Sequence, residues 1–411
     1  MHNFFTLYCF LLFLIAISCN EDESLISESV SRTIIVYLAA DNDLSTDALV
    51  DLEEMKKGFT ETQNNLIVFM DILGTPPYLL KIGKDKESII KSYPELNSAS
   101  PATLAEITKE IIHLYPAEEY GLILWSHGTS WLPADISVRS FGKDTGSENN
   151  SGINIPELAK SLPVKFNFIL MDACLMGSVE VAYELKDKAE FIIASSTETI
   201  YSGFPYDKII PELIKPKIDF KQVGKYYFDY YNNMEGAYRS ATVSVIDTQH
   251  LQKLGYQLKL LFENSDMHTL SIDRGSIQRL DLYKEQYTFD LLDFIDKAFT
   301  SIDKSTFVNQ LNQAVIYKAH TPMFLSEYEI ETYCGLSCYI PHPQRDDLNI
   351  YYKTLGTNSN FCNHCYSYFL FYSFIKRARC KILLCPLLSH LRRMLIIACW
   401  IILLEKRFGK W

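Results

Sequence analysis

The sequence predicts an α/β fold with a mostly parallel central sheet, and three observations carry that reading. Short, almost wholly apolar runs recur at residues 34–39, 66–73, 122–125, 166–171 and 191–196, the pattern of strands covered on both faces. Segments with helical spacing lie between them, for example Leu104, Ile107, Ile111 and Ile112, and such alternation belongs to sheets flanked by helices. Two of the runs end abruptly in polar, reactive residues, Ser126-His127-Gly128 and Asp172-Ala173-Cys174, at the strand end where open α/β sheets place their ligands. With 411 residues, 48% hydrophobic and 22% charged, the chain is long enough for one large or two modest globular domains.

Residues 1–18 form an apolar stretch ending in Ala16-Ile17-Ser18 before Cys19. This reads as a signal peptide of the lipoprotein type with Cys19 lipidated, although no Lys or Arg precedes the apolar run. An ordinary signal peptide or an anchor stays open. Residues 19–32 are polar and serine-rich, a tether with too little apolar content to pack. From residue 33 the ordered domain begins, with a strand over 33–39 and the loop Ala40-Asp41-Asn42-Asp43. Asp41, Asp43, Asp47 and Asp51 read as a solvated acidic helix start, which needs no metal; calcium as a structural ion is the alternative. Residues 66–73 give a second buried strand, 78–82 an exposed hairpin strand, and 102–113 a helix.

After Trp131 the pattern dissolves into the polar loop 139–152, either a site of chain nicking or simply a mobile loop. A short helix over 153–161 then leads into the strand 166–171. Ser178 is placed to cap the helix that carries Val179, Ala182 and Tyr183. The strand at 191–196 follows, with helices at 221–233 and 250–264, a strand at 242–246, and structured chain over 288–299. Cys334 and Cys338 read as core thiols, since four strand residues hold them too far apart to bridge. Residues 356–411 are a basic, cysteine-rich tail: nine Lys and Arg against the single Glu405, with five of the ten cysteines. A shifted reading frame is its first explanation and a membrane-associating tail the second.

A cysteine after a strand reads as a core thiol as readily as a nucleophile. His127 on the same expected sheet edge changes the balance, because histidine is the usual base for a thiol and helix-terminal N–H groups stabilise an oxyanion. The segments WSHGTSW at 125–131 and MDACLMGSVEVAYEL at 171–185, with IIVYLAADNDL at 34–44, Gly203-Phe204-Pro205-Tyr206 and GLSCYIP at 335–341, resemble the clostripain family of cysteine peptidases, whose relatives include gingipains, legumain and separase. The resemblance spans about residues 33–350, and residues 33–355 are taken as one peptidase domain.

The resemblance implies a caspase-like α/β/α sandwich with a C-terminal helical and strand subdomain, and a cysteine endopeptidase working through a His127–Cys174 dyad. It implies an oxyanion hole from the N–H groups of Gly128 and Cys174, and no residue to orient the histidine. Cleavage after Arg or Lys would use Asp172, which also reads as a structural strand-end acid. Ser202 stands where basic-specific members often carry an acid, and Glu198 in the same loop is the candidate replacement. Lys143 or Arg139 is a candidate self-processing site that would give two chains. No cofactor and no metal is expected in the chemistry. Protein or peptide substrates, a monomer, and a bacterial cell envelope location, lipid-anchored or secreted, complete the expectation. The net charge of −11 argues against a nucleic acid partner. Two other readings remain: an inactive surface lipoprotein of the same fold that binds protein or glycan, and a transpeptidase using the same dyad.

Overall fold

The computed structural model describes residues 30–60, 62–84, 86–133, 140–146, 152–264, 273–342, 344–352 and 355. The expected leader, Cys19, most of the tether, Arg139 and the basic tail lie outside the described residues. Ten strands are used below: β1 Arg32–Ala40, β2 Asn65–Ile72, β3 Thr75–Ile82, β4 Glu87–Ser92, β5 Glu119–Trp125, β6 Phe166–Asp172, β7 Ala189–Ala194, β8 Thr242–Asp247, β9 Thr288–Asp290 and β10 Val315–His320. All but β9 join one sheet in the order β10-β8-β7-β6-β5-β1-β2-β3-β4. Its centre, β7-β6-β5-β1-β2, is parallel. Antiparallel pairs close both sides, β3 and β4 at one end, β8 and β10 at the other. The expected sheet class therefore holds.

The central strands are apolar on both faces because both faces are covered. Ile35, Tyr37, Leu122, Leu124, Ile169 and Met171 pack into one layer with the helices Pro101–Leu114, Ile155–Ser161, Val179–Leu185 and Leu251–Glu263. Ile34, Val36, Ile123, Trp125, Phe168 and Leu170 pack into the other, with Ser45–Gly58, Tyr206–Leu213 and Phe220–Asn232. Each such side chain contributes roughly 1.5–3 kcal/mol when fully buried. The strand expected to be exposed at 78–82 is instead largely covered: Leu79, Leu80 and Ile82 are buried. The exposed edge is β4, whose six residues ESIIKS all face solvent. A short strand with charged residues at its ends is a usual way to blunt a sheet edge, and its weak apolar signal hides it in the sequence.

The C-terminal part docks directly on the turn that follows β6. The strand Ser337–Tyr339 pairs antiparallel with β9, and the Ser337 N–H donates to the Gly177 carbonyl at 3.0 Å. Glu180, buried in the first turn of Val179–Leu185, accepts the Tyr339 N–H and the Tyr352 hydroxyl on Oε1, each at 2.8 Å. Burial pushes its carboxyl above the usual range. Trp131 packs its ring against Tyr339 and Tyr352, so the loop after β5, the helix after β6 and the last described helix meet at one clamp. Cys334 and Cys338 are buried and not joined in a disulfide, as expected.

The clamp is testable by chemical denaturation. Glu180→Ala, which strands a buried N–H and a hydroxyl, should cost about 3 kcal/mol and Tyr352→Phe about 1 kcal/mol. A Glu180→Ala protein as stable as its parent would remove the clamp from the account.

Candidate active site

Cys174 stands in the turn between β6 and the helix Val179–Leu185, whose first turn is capped by the Ser178 hydroxyl accepting the Val181 N–H at 3.3 Å. Leu175, the next residue, holds φ 65°, a left-handed conformation that costs a non-glycine residue roughly 1–2 kcal/mol. Its complete burial and its N–H bond to the Thr197 carbonyl at 2.9 Å hold it there. The strain is stored at the residue next to the thiol. Sγ receives the Thr199 N–H at 3.2 Å and faces the Thr199 carbonyl at 3.6 Å. Burial first, and then the nearby Glu198 and Asp172 carboxylates, push the thiol up to about 12 against the opposing pull of that N–H.

His127 follows β5, the strand beside β6, and Trp125 lies in register with Asp172. The two expected residues thus emerge side by side at one sheet edge. Gly128 is required by close approach: a Cβ there would lie 2.6 Å from the Cys174 carbonyl oxygen and 3.0 Å from its nitrogen. This brings the backbones of Gly128 and Cys174 together, the two groups expected to supply the oxyanion donors.

The dyad is not closed in this conformation. His127 Nε2 meets Asp43 Oδ1 at 3.1 Å, while Cys174 has Thr199 as its partner. Asp43 also takes the Lys143 ammonium, at 2.5 Å. Chiefly through that lysine, its carboxyl is drawn down to about 2. No residue is expected to be needed to orient the histidine; in this conformation Asp43 holds the ring. The segment carrying Lys143 is tied to the same edge, with the Asn42 amide donating to the Lys143 carbonyl at 2.7 Å and the Gly142 N–H to the His127 carbonyl at 2.9 Å.

The acidic stretch after β1 also departs from its reading as a solvated helix start. Asp43 is exposed, but Asp41 and Asp51 are 4% and 2% exposed. Asp41 accepts the Gly146 N–H at 2.8 Å and Asp51 the Trp125 Nε1–H at 2.7 Å. With Asp43 turned to His127, the three carboxylates face different partners. Among the described residues no group of three or more His, Cys, Asp or Glu side chains is arranged to hold a metal ion. The buried face of Ser45–Gly58 is Ala48, Asp51, Leu52 and Met55, an acid on an otherwise apolar stripe. That position was the available signal for its burial.

Asp172 is 4% exposed, and its Oδ2 accepts the Phe204 N–H at 2.9 Å and the Tyr206 hydroxyl at 2.8 Å. Burial raises its carboxyl, those two donors lower it, and Glu54 raises it further. Asp51 is pushed up by burial and then by Asp172 itself. Ser202 lies on the same loop, beside the Tyr230 hydroxyl. Glu198 is not brought to Asp172. Its Oε1 accepts the Leu282 N–H at 2.8 Å, and burial pushes its carboxyl up to about 7 on the side of Asp281 and Arg279. A polar hollow of about 210 Å³ lined by Gly275, Arg279, Asp293, Lys297 and Glu331 lies on the C-terminal part and contains none of the dyad residues.

Comparison with known proteins agrees with this arrangement. The model of the clostripain family matches residues 36–371, running past the boundary at residue 355 drawn from composition. Clostripain of Hathewaya histolytica is 30% identical over 220 residues, 44% of this chain and 42% of that protein; the chain spans about two-fifths of the length of this curated relative. An inactive zymogen C11 protease from Parabacteroides distasonis is similar at 29% identity and a TM-score of 0.72, over 81% of this chain and 98% of that one. A secreted C11 cysteine protease from Bacteroides thetaiotaomicron, solved with an irreversible peptide inhibitor, is similar at 28% identity and a TM-score of 0.72, over 82% and 99%. The sandwich is therefore caspase-like.

Two measurements check the electrostatics. The folded Asp43 carboxyl lies below its unfolded value of about 4. Its pairing therefore adds stability above about pH 4 that is lost as pH falls through about 2. Lys143→Ala should bring the Asp43 titration, followed by NMR, back toward the ordinary value; an unmoved titration would exclude Lys143 as the cause. Because only the thiolate reacts, iodoacetamide should label Cys174 slowly at neutral pH and faster as pH rises.

Proposed function

The chain belongs to the clostripain family of cysteine peptidases, and we propose that it is an endopeptidase cutting after arginine or lysine through His127 and Cys174. One observation carries the reading: His127 and Cys174 follow neighbouring parallel strands, and the buried carboxylate of Asp172 ends the strand that leads to the thiol. In the reaction His127 turns from Asp43 to Cys174 and accepts the thiol proton. The sulfur forms a bond to the peptide carbonyl carbon, and the oxygen takes the negative charge opposite the N–H groups of Gly128 and Cys174. Collapse breaks the C–N bond, and the leaving amine takes its proton from His127. Water then adds to the thioester, gives a proton to His127 and releases the carboxylate with the thiol restored.

Asp172 would pair with the cationic side chain before the scissile bond, with Ser202 at the pocket rim and Glu198 on the opposite wall of the thiol. The chemistry needs only this chain's own groups. Lys143 is the proposed self-processing site and Arg139 the alternative. What supports Lys143 is its bond to the carboxylate that holds His127: cutting behind it would loosen the latch on the base. The similar Parabacteroides protein is described as an inactive zymogen. The apolar stretch before Cys19 supports action at the cell envelope or outside the cell, lipid-anchored or secreted, on protein or peptide substrates; we take the protein to act as a monomer.

Fluorogenic peptides ending in Arg or Lys should be cleaved by the protein from residue 20 onward, and Cys174→Ala should abolish turnover. Gly128→Ala keeps its N–H, but its Cβ would strike the Cys174 backbone and displace that donor, so kcat should fall by up to about 100-fold, the scale of a lost oxyanion donor. Lys143→Ala should prevent conversion to two chains on a denaturing gel. A folded parent that leaves every peptide intact would overturn the peptidase reading, and an inert binding protein would take its place.

A further inference from the structure

The helix Ser45–Gly58 brings a second carboxylate to Asp172. A Cβ on Gly203 would lie 2.6 Å from Asp172 Oδ2 and 3.2 Å from Asp51 Oδ2, so both oxygens crowd one point beside the loop after β7. Gly203 holds φ 55° there, and any side chain would strike the acids. Trp125 donates to Asp51, Tyr206 and the Phe204 N–H to Asp172. All of these donors are neutral.

No lysine or arginine among the described residues pairs with either acid; Lys57 and Lys208, the nearby cations, are both bonded to Asp207. Two buried carboxylates this close repel each other, and each loses hydration. Burial, with Asp172 acting on Asp51 and Glu54 on Asp172, pushes both carboxyls up, Asp51 to about 9, so an arriving cation would let both ionise, and the turn bearing Cys174 begins at Asp172. A guanidinium presents a planar fork of donors able to engage two carboxylates together, and it offsets the repulsion on arrival.

We propose that Asp51 is a specificity-determining residue, the second carboxylate of the pocket that receives the basic side chain before the scissile bond. The proposal rests on the peptidase reading given above. It assigns a recognition role to an acid that stands seven positions into a surface helix, and it explains how a pocket with Ser202 at its rim keeps two acidic groups that a bound cation would ionise together. Position 202 adjoins the same Gly203, so a carboxylate placed there can approach the site Asp51 serves.

The test compares kcat/KM for two fluorogenic peptides that differ only in arginine or its neutral isostere citrulline. Asp51→Asn keeps an oxygen for the Trp125 N–H but exchanges the other for an amide that cannot ionise. The expected result is a loss of roughly 10- to 100-fold for arginine, the scale of a hydrogen bond to a charged group, with the citrulline value kept or raised. Ser202→Asp in the Asp51→Asn background should restore most of the arginine preference. In the parent, Ser202→Asp should widen it, a readout independent of whether Asp51→Asn folds. Equal losses for both peptides, or an unchanged ratio across these variants, would show that Asp51 only positions Trp125 and would overturn the proposal. A parent that cleaves neither peptide overturns the peptidase reading instead.

Discussion

The site depends on the register of three parallel strands. Leu38 of β1 lies opposite Trp125 of β5, and Trp125 lies opposite Asp172 of β6. Adjacent strands stand about 4.8 Å apart, so the loops that follow them leave one edge within two strand spacings. The first carries Asp41, Asn42 and Asp43, the second His127 and Gly128, the third Cys174. Strand alternation then sorts the side chains by face. Trp125 packs into the layer that contains Ser45–Gly58 and Tyr206–Leu213, and Asp172, in register with it, meets Tyr206 on that side. A slip of one residue in β6 would send Asp172 to the opposite layer, away from both Tyr206 and Asp51.

Much of this frame was legible in the chain because the strands are buried on both faces and therefore nearly free of polar residues. His127 and Cys174 announced themselves by ending such runs. Asp43 and Asp51 did not, since their roles come from contacts between distant segments: Asp43 with residues 84 and 100 positions away, Asp51 with Trp125. Local propensity favours acids at a helix start whatever they touch. For Asp51 the face of the helix held the answer, because an acid on the stripe of Ala48, Leu52 and Met55 must be buried. No comparable pattern marks Asp43, which is exposed and acquires its role only when the 140–146 segment folds over the edge. The edge strand β4 was hidden for a simpler reason: a solvated strand has no apolar alternation to read.

Carboxylates around the thiol do two opposed things. Glu198 and Asp172 add to the burial that keeps Cys174 protonated, and Asp43 holds His127 away from it. The conformation is thus chemically quiet for electrostatic reasons. Yet buried carboxyls are also what a cation from solution would pair with. A basic substrate side chain placed against Asp172 cancels one of the charges that raise the thiol. On the proposed assignment, Asp172 would recognise the substrate and its neutralisation would also ease loss of the thiol proton, with His127 as the proposed acceptor. On this argument a neutral residue in the pocket is disadvantaged twice, first in binding and again in forming the nucleophile. Preference for a basic side chain should therefore be expressed in the acylation step and not only in affinity.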